Sequence, residues 1–380
     1  MIYLDNAATT KPSITAIEKA SIFNCEKFYN PSALYGEGVS NSKEIKQAKD
    51  VILSSLGANF TDFDVIFTSC GSESDNMAVF CAKKRGVFVT DKGEHAAIHK
   101  SFLELKQRNL QVEFIDLNND GSVNTEKLYS YLENNPVDFV SIVHVNNETG
   151  AINNVNEIAK RVKQINKNTI FHSDGVQAFG KIPFVIDKCI DMYSISAHKI
   201  NGLKGVGALI KRKNLVISPL IYGGGQEGGL RSGTENIFGI KVFEYATEAH
   251  YKNLLKDYEK IKSFNNYVRE NLDKKIFTII SSLEASPYVL SVSAKGLKGE
   301  VLMHSLEEFG IIVGNGSACS SKNKFSRVIE ACSYKKEVLD GVIRISFSNE
   351  NTQEEVEFAT SKINEVANKL KGIMLWTMQL

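Results

Sequence analysis

Hydrophobic and polar positions between residues 65 and 209 follow two alternating patterns. Short runs of β-branched and aromatic residues, several of them apolar on both faces, are separated by longer stretches with helical spacing. Strands that are apolar on both faces are typical of a parallel sheet covered by helices on each side. We therefore predict a doubly wound α/β sheet. Its predicted strands are residues 65–68, 87–90, 112–115, 139–145, 170–172, 192–196 and 206–210.

The pattern changes after a glycine-rich segment at residues 223–233. A long helical stretch leads to a second region with strand-like runs at 288–292 and 342–347 and a final helix. Thr352 and Glu355 form a capping box at the start of that helix. We expect two domains: a large one over residues 1–255 and a smaller α+β domain over 256–380. The first residues of the chain could pack on the small domain.

Composition and charge narrow the class of protein. With 380 residues, 43% of them hydrophobic, the chain can bury a large core, so intrinsic disorder is not expected. Lys and Arg number 45 against 44 Asp and Glu, which leaves no basic excess for a nucleic-acid surface. The chain lacks a readable signal peptide, and no apolar run approaches the ~18 residues of a membrane span. We expect a cytoplasmic protein that binds neither nucleic acid nor membranes.

The six cysteines are widely spaced. They form no Cys-x-x-Cys pair and lie near no pair of histidines, so no metal site is expected. Cys319 lies in a polar segment, residues 314–324, where several lysines favour the thiolate form and indicate a nucleophile. Cys70 is either a second reactive thiol or a packed small residue. The cysteines that lie in apolar patterns, for which we expect structural roles, are Cys25, Cys81, Cys189 and Cys332.

Polar residues with possible chemistry follow two of the predicted strands. Gly71 and Ser72 lie where a strand leads into a helix, and such a helix start can bind an anion through its backbone N–H groups. Ser72 equally suits the helix N-cap, with Asp75 completing a capping box. Asp174 ends another strand, where it could bind a metal, act as a base or pair with a protonated heterocyclic nitrogen. A solvated turn is the alternative for Asp174.

Lys199 follows the predicted strand 192–196 and lies 25 positions after Asp174. A lone lysine in a loop is usually solvated, but this combination beside several glycines suits a Schiff-base lysine next to a cofactor ring. The glycine-rich segment also contains Arg231 and Thr234. Its backbone could pack closely against a ligand or another subunit, and a flexible interdomain linker is the alternative.

Taken together, these clusters resemble the cysteine desulfurases of the class V aminotransferase group, the NifS/IscS-like branch of the fold-type I enzymes that use pyridoxal 5'-phosphate (PLP). The likeness runs from residue 3 to residue 347. Its longest motifs are HVNNETG at 144–150, SAHK at 196–199, RSGT at 231–234 and GSACSS at 316–321. The resemblance implies a large domain with a mostly parallel seven-stranded sheet covered by helices, and a smaller α+β C-terminal domain.

The resemblance also implies roles for single residues. Lys199 would bind PLP covalently, Asp174 would pair with the pyridine nitrogen, and Gln177 would bond to the ring oxygen. His95 would stack on the ring and relay a proton. The residues implied for the phosphate are Gly71, Ser72, Ser196, His198 and, toward the neighbouring subunit's cofactor, Thr234. The residues implied for the substrate carboxylate are Arg344, Asn147 (which also borders the cofactor) and Arg231.

The reaction that the resemblance implies converts L-cysteine to L-alanine and transfers the sulfur to Cys319 as a persulfide. An acceptor would then take the sulfur: an iron–sulfur scaffold, a tRNA-thiolation enzyme or a sulfur carrier for thiamine or molybdenum cofactor synthesis, with the first two preferred. Homodimers with composite sites are implied as well. The alternative on the same scaffold is a selenocysteine lyase or a class V aminotransferase. An aminotransferase would not need a thiol on a polar loop, so Cys319 favours the desulfurase.

Overall fold

A computed structural model describes residues 1–315 and 325–377 of the chain. The predicted nucleophile Cys319 lies outside the described residues. Among the helices of the described residues, none is long and apolar enough to cross a membrane.

The main sheet has seven strands in the described part of the chain. After a short first strand, β1 (Ile2–Leu4), its members follow in chain order. They are β2 (Phe63–Thr68), β3 (Val87–Asp91), β4 (Gln111–Ile115), β5 (Val137–Ser141), β6 (Ile170–Asp174), β7 (Met192–Ser196) and β8 (Gly207–Arg212). Across the sheet the order is β2-β8-β7-β6-β5-β3-β4, with β8 antiparallel to both neighbours and the other pairs parallel. The predicted mostly parallel seven-stranded sheet is confirmed.

Helices cover both faces of this sheet. Successive residues of a strand point to opposite faces, so Phe67 and Val89 join one apolar core while Ile66 and Phe88 join another. The strands β3, β6 and β7 are consequently buried along their whole length. The helices in this part are α1 (Ile14–Ala20), α2 (Ile22–Cys25), α3 (Gly36–Ser55), α4 (Gly71–Cys81), α5 (Ala96–Gln107), α6 (Thr125–Asn134), α7 (Val155–Ile165) and α8 (Ile237–Asn271).

A second sheet contains five strands among the described residues. Its order is β1-β11-β12-β10-β9, and β1 runs parallel to β11, with Ile2 opposite Ile311. The later strands are β9 (Phe277–Ile279), β10 (Val289–Ala294), β11 (Ile311–Asn315) and β12 (Val342–Ser346). The later helices are α9 (Gly299–Glu307), α10 (Arg327–Ala331), α11 (Lys336–Leu339) and α12 (Gln353–Thr377).

The capping box predicted at the start of α12 is confirmed. The Glu355 backbone N–H donates to Thr352 Oγ1 over 3.2 Å, and the Thr352 N–H donates to Glu355 Oε2 over 3.3 Å. The helix α8 spans 35 residues and crosses the expected domain boundary at residue 255. It packs on α1 and α3 beside the main sheet and on α12 beside the second sheet. The division into two domains stays a prediction.

Candidate active site

A cavity of about 430 Å³ opens at the carboxyl ends of β6 and β7. Open α/β sheets bind ligands at this edge, and the volume is that of a small-molecule site. Residues of β11 and β12 from the second sheet complete the wall. Ten of the residues predicted to form the site line this cavity: Gly71, Ser72, His95, Asn147, Asp174, Gln177, Ser196, His198, Lys199 and Arg344.

Lys199 ends a short 3₁₀ turn that directly follows β7. Its Nζ donates to the carbonyl oxygens of Ala7, over 2.5 Å, and of Ala8, over 2.8 Å. Both alanines belong to the segment that follows β1. The chain's first ten residues therefore hold the amine at the cavity wall.

Asp174 is the last residue of β6 and is only 5% exposed. Burial raises the pKa of its carboxyl to about 6, although the Val176 N–H, which donates to Oδ1 over 2.9 Å, and the charge of Lys199 partly oppose this. An ionised carboxylate in such surroundings gains most from a cationic partner, because few water molecules can solvate it.

Asp75, which the resemblance did not assign to the site, lies one turn into α4 and is 1% exposed. Burial and the negative charge of Asp174 raise its pKa well above the ordinary value. Within the described ranges its Oδ1 atom has no hydrogen-bond partner. The cavity floor thus carries two buried carboxyl groups, and their mutual repulsion disfavours the doubly ionised state.

His95 caps the start of α5, where its Nδ1 accepts a hydrogen bond from the Ala97 N–H over 3.2 Å. Burial and the positive charge of Lys199 lower its pKa to about 4, so the ring is neutral at pH 7. With Nδ1 engaged as an acceptor, the hydrogen-bond network assigns the proton to Nε2. One side-chain nitrogen of His95 and one carboxylate oxygen each of Asp75 and Asp174 lie within 4.8 Å of one another. The imidazole is therefore a neighbour of both acids.

Gln177 lies on the same wall and is 5% exposed. Its Nε2 donates to the Ala7 carbonyl over 2.8 Å, and its Oε1 accepts from Lys181 Nζ over 2.8 Å. Each end of the amide thereby has one hydrogen-bond partner in the protein, and the side chain faces the cavity.

The start of α4 forms the cavity wall beside Val176. Cys70 is the N-cap residue, in extended backbone geometry and without a side-chain capping bond, and the helix begins at Gly71. The alternative in which Ser72 is the N-cap is therefore wrong: Ser72 lies inside the first turn. A Cβ added at Gly71 would lie 2.8 Å from Val176 Cγ2 and 3.4 Å from Ser196 Cβ. Only a glycine leaves the helix start open to a ligand here.

Two further polar groups, Ser196 and His198, line the same cavity. Ser196 is 2% exposed, and in the part of the chain that the structure describes its hydroxyl oxygen has no hydrogen-bond partner. His198 bonds through Nδ1 to Thr9 Oγ1 over 3.1 Å, and burial and Lys199 lower its pKa to about 4. A buried hydroxyl without a partner costs free energy unless a ligand occupies it. These groups fit the phosphate of PLP, and Lys199 and Asp174 fit its aldehyde and its pyridine nitrogen.

Arg344 lies in the middle of β12 and is 6% exposed. Its Nη1 donates to the Asn147 carbonyl over 2.8 Å, and its Nη2 donates to Asp5 Oδ1 over 2.8 Å. Its Nε is buried and has no partner among residues 1–315 and 325–377. The guanidinium is thus fixed from two sides and keeps donor capacity for a carboxylate. Asp5 lies in the first segment of the likeness and is a further residue to which the resemblance assigned no role.

Arg231 and Thr234 do not line this cavity. Arg231 Nε instead donates to Glu73 Oε1 over 2.8 Å, which ties the glycine-rich segment to the first turn of α4. Thr234 is exposed and borders a smaller surface depression next to Arg231. The roles predicted for these two residues therefore lack support within one chain, and both stay predictions.

The exposure of the cysteines differs in part from the expectation. Cys70 is partly buried and lines the cavity. Cys81 and Cys332 are buried and Cys189 is partly buried, as expected for packed thiols. Cys25 is exposed at the end of α2, so the structural role predicted for it is wrong. Its helix has four residues, of which only Phe23 is buried, and the apolar pattern there does not extend to the thiol.

Comparisons with known proteins agree on the family. The family model described as aminotransferase class V matches residues 2–358. A protein of Nostoc sp. named cysteine desulfurase is 32% identical over 390 residues, with 98% of this chain and 94% of that protein covered. The solved structure of a NifS-like protein has a TM-score of 0.89 at 33% identity and covers 97% of this chain and 99% of its own.

A structure titled SspA in complex with cysteine has a TM-score of 0.81 at 27% identity, with 93% of this chain and all of that one, 100%, covered. The relatives therefore match both the main sheet and the second sheet, rather than one part of the chain. The chain belongs to the class V aminotransferase family, as a relative of the NifS-like cysteine desulfurases.

Proposed function

We propose that this protein is a PLP-dependent cysteine desulfurase, which converts L-cysteine to L-alanine and passes the sulfur to Cys319. One observation carries the proposal: a single cavity combines the amine of Lys199, the buried acid Asp174 and the fixed guanidinium of Arg344. These groups suit a cofactor aldehyde, a ring nitrogen and an amino acid carboxylate. The relative solved in complex with cysteine supports cysteine as the amino acid.

When bound, PLP supplies an electron sink for bond changes at the substrate α-carbon. Asp174 contributes a fixed negative charge, which keeps a ring nitrogen protonated because the pair is buried together. Lys199 Nζ would anchor the cofactor through its amine and would also serve as the base for the substrate α-proton. The carbonyls of Ala7 and Ala8 hold that amine within the cavity between these two tasks.

The remaining groups bind and orient the substrate and the cofactor phosphate. Arg344 binds the α-carboxylate through two parallel N–H donors, with the Asn147 side chain beside it. His95 is neutral and carries its proton on Nε2, so it can donate that proton toward the substrate. The phosphate would be held by the first turn of α4, with Ser196 and His198 as further donors.

The sulfur transfer needs a thiol from the chain itself. In the proposed step the Cys319 thiolate attacks the substrate sulfur, so that an S–S bond forms while the substrate's C–S bond breaks. The electron pair of that bond remains with the substrate carbon, which takes up a proton, and alanine leaves. The products are L-alanine and a persulfide on Cys319, so no external oxidant or reductant is required. An acceptor protein then removes the sulfur.

We further propose a homodimer in a cytoplasmic setting. The exposed position of Thr234 in the glycine-rich segment supports a role toward a neighbouring subunit rather than in its own cavity. The acceptor would be an iron–sulfur scaffold or a tRNA-thiolation enzyme. A selenocysteine lyase or an aminotransferase is the second candidate, and the cavity described here would serve all three.

The test is an assay of alanine and sulfide from L-cysteine under reducing conditions, with PLP-loaded protein. Cys319→Ala should keep the visible absorption of the bound cofactor and lose alanine formation, whereas Lys199→Ala should lose the visible band. Cys25→Ala is the matched control, because Cys25 is exposed and lies outside the cavity. Undiminished turnover in Cys319→Ala would refute the persulfide step. Alanine from L-selenocysteine alone, or transamination of alanine with a 2-oxo acid, would favour the second candidate.

A further inference from the structure

Lys181 is a buried lysine that has no acidic partner among residues 1–315 and 325–377. It is 4% exposed, and its Nζ donates to Gln177 Oε1 over 2.8 Å. None of the ion pairs among the described residues includes it, and the charges that act on it, those of Lys199 and Arg344, are both positive. Burial, with these two charges, lowers its pKa well below the ordinary value. A lysine in such a position is costly to the fold, so its contact with Gln177 calls for a functional reason.

The contact decides which way the amide of Gln177 points. Oε1 lies against the amine of Lys181, a donor, and Nε2 lies against the Ala7 carbonyl, which can only accept. In a flipped amide, Oε1 would lie against the Ala7 carbonyl oxygen. Two acceptors would then face each other with no hydrogen between them. Without Lys181 the oxygen end of the amide would lose its partner, and one of the two restraints on the orientation would disappear.

The orientation matters because Gln177 faces the cavity next to Lys199. The Gln177 amide nitrogen and Lys199 Nζ both donate to the same Ala7 carbonyl oxygen, so they are near neighbours. The second hydrogen of Nε2 remains for a ligand. If PLP is bound at Lys199, this N–H would be the donor for the ring oxygen of the cofactor, which would favour the ionised form of that oxygen.

We propose that Lys181 is a positioning residue: by holding Oε1 of Gln177, it presents the amide N–H of that residue to the ring oxygen of the cofactor. The inference rests on the proposed function, because it assigns the ligand beside Gln177 as PLP. Lys181 does not line the cavity and acts through Gln177 alone. A purely structural lysine would affect the stability of the fold and leave the spectrum of the bound cofactor unchanged.

The experiment compares the absorption spectrum and the PLP dissociation constant of the wild type with those of Lys181→Met. Methionine fills a similar volume and donates no hydrogen bond, so the amide is free to turn. An amide that turns presents Oε1 to the ring oxygen part of the time, which favours the protonated oxygen. We expect a shorter-wavelength band to grow at the expense of the visible band, and PLP affinity to fall about tenfold, as the loss of one oriented hydrogen bond predicts.

Three further variants separate positioning from a structural effect. Lys181→Arg retains a donor and should restore the visible band if it folds. Lys211→Met removes another buried lysine, which is 5% exposed on β8 and bonds to Asp64, and should leave the spectrum unchanged. In a Gln177→Leu background, Lys181→Met should add less than a twofold change, because its effect passes through the missing amide.

The outcomes distinguish a failure of the proposed function from a failure of the inference about Lys181. A wild type that binds no PLP overturns the proposed function and this inference with it. A wild type with a visible band and a Lys181→Met variant with the same band and affinity overturn the inference alone. The same spectral change with and without Gln177 also overturns it, because Lys181 would then act by another route.

Discussion

Replacing Asp174 with asparagine should stabilise the cofactor-free protein at neutral and alkaline pH. The carboxyl has a pKa of about 6 in the fold against an ordinary value of 3.8. Because the folded pKa is the higher one, the cost of burying the charge is absent below pH 3.8 and complete above pH 6. The difference corresponds to about 3 kcal/mol of unfolding free energy at pH 8.

Asparagine removes this cost without removing the local contact. Its Oδ1 can still accept the bond that the Val176 N–H donates over 2.9 Å. For a chain of this length, about 3 kcal/mol raises the melting temperature by ~4 °C. At pH 5, between the folded and the ordinary pKa, the gain should be about half as large. When PLP is added, the wild type should become more stable than Asp174→Asn, because its carboxylate would then pair with the ring nitrogen.

The assay is thermal unfolding of PLP-stripped wild type and Asp174→Asn, followed by circular dichroism at pH 5 and pH 8. It is repeated after PLP has been added back. A variant that is less stable than the wild type at pH 8 without cofactor would refute the reasoning. So would a gain of equal size at both pH values, since that gain would not come from ionisation.

Further predictions concern the substrate, the phosphate site and the last helix. Arg344→Lys should raise the KM for L-cysteine about tenfold or more in steady-state assays, because lysine cannot donate two parallel bonds to a carboxylate; an unchanged KM would contradict the assignment. Gly71→Ala should weaken PLP binding about tenfold, as its Cβ would lie 2.8 Å from Val176 Cγ2. Gly36→Ala, with nothing within 4 Å, should leave PLP binding unchanged. Thr352→Ala should cost about 1 kcal/mol in denaturant unfolding, and no loss would argue against the capping box.

The main sheet could be predicted because its strands have a recognisable hydrophobic pattern in the sequence. Runs that are apolar on both faces alternate with helical spacing, and each of the seven runs is a strand of that sheet. The run at residues 139–145 stops as a strand at Ser141, because the chain then turns into the HVNNETG segment on the cavity wall. The strands β1, β9 and β11 were missed. Strands β1 and β9 have three residues each, too few for an alternating pattern, and β1 is completed by a partner far along the chain. Strand β11 has only three apolar residues, Ile311 to Val313, before Gly314 and Asn315, so its apolar run is equally short.

The site could be predicted only where a motif marks it. The residues that support these site residues were given no role: Lys181 follows a glycine in an ordinary loop, and Asp5 lies in the first segment of the likeness without an assigned contact. Lys181 is buried by the fold, and Asp5 is paired across distant segments through its bond with Arg344. The first turn of α4 shows the opposite error. Ser72 has the right residue type for an N-cap, but the extended backbone of Cys70 starts the helix two positions too early for it.

The pairing of β1 with β11 bears on when the active site comes into being during synthesis. Ala7 and Ala8, which hold the Lys199 amine, follow β1, and the Ala7 N–H donates to Ser346 Oγ of β12 over 2.9 Å. Contacts between such distant segments close late in folding, because the intervening chain must first be ordered. A nascent chain can form the main sheet before β11 and β12 leave the ribosome. Until they do, β1 lacks its partner strand and the Ala7 N–H lacks Ser346, so the segment that holds the Lys199 amine is not yet fixed. Capture of the cofactor is therefore an event of the finished chain.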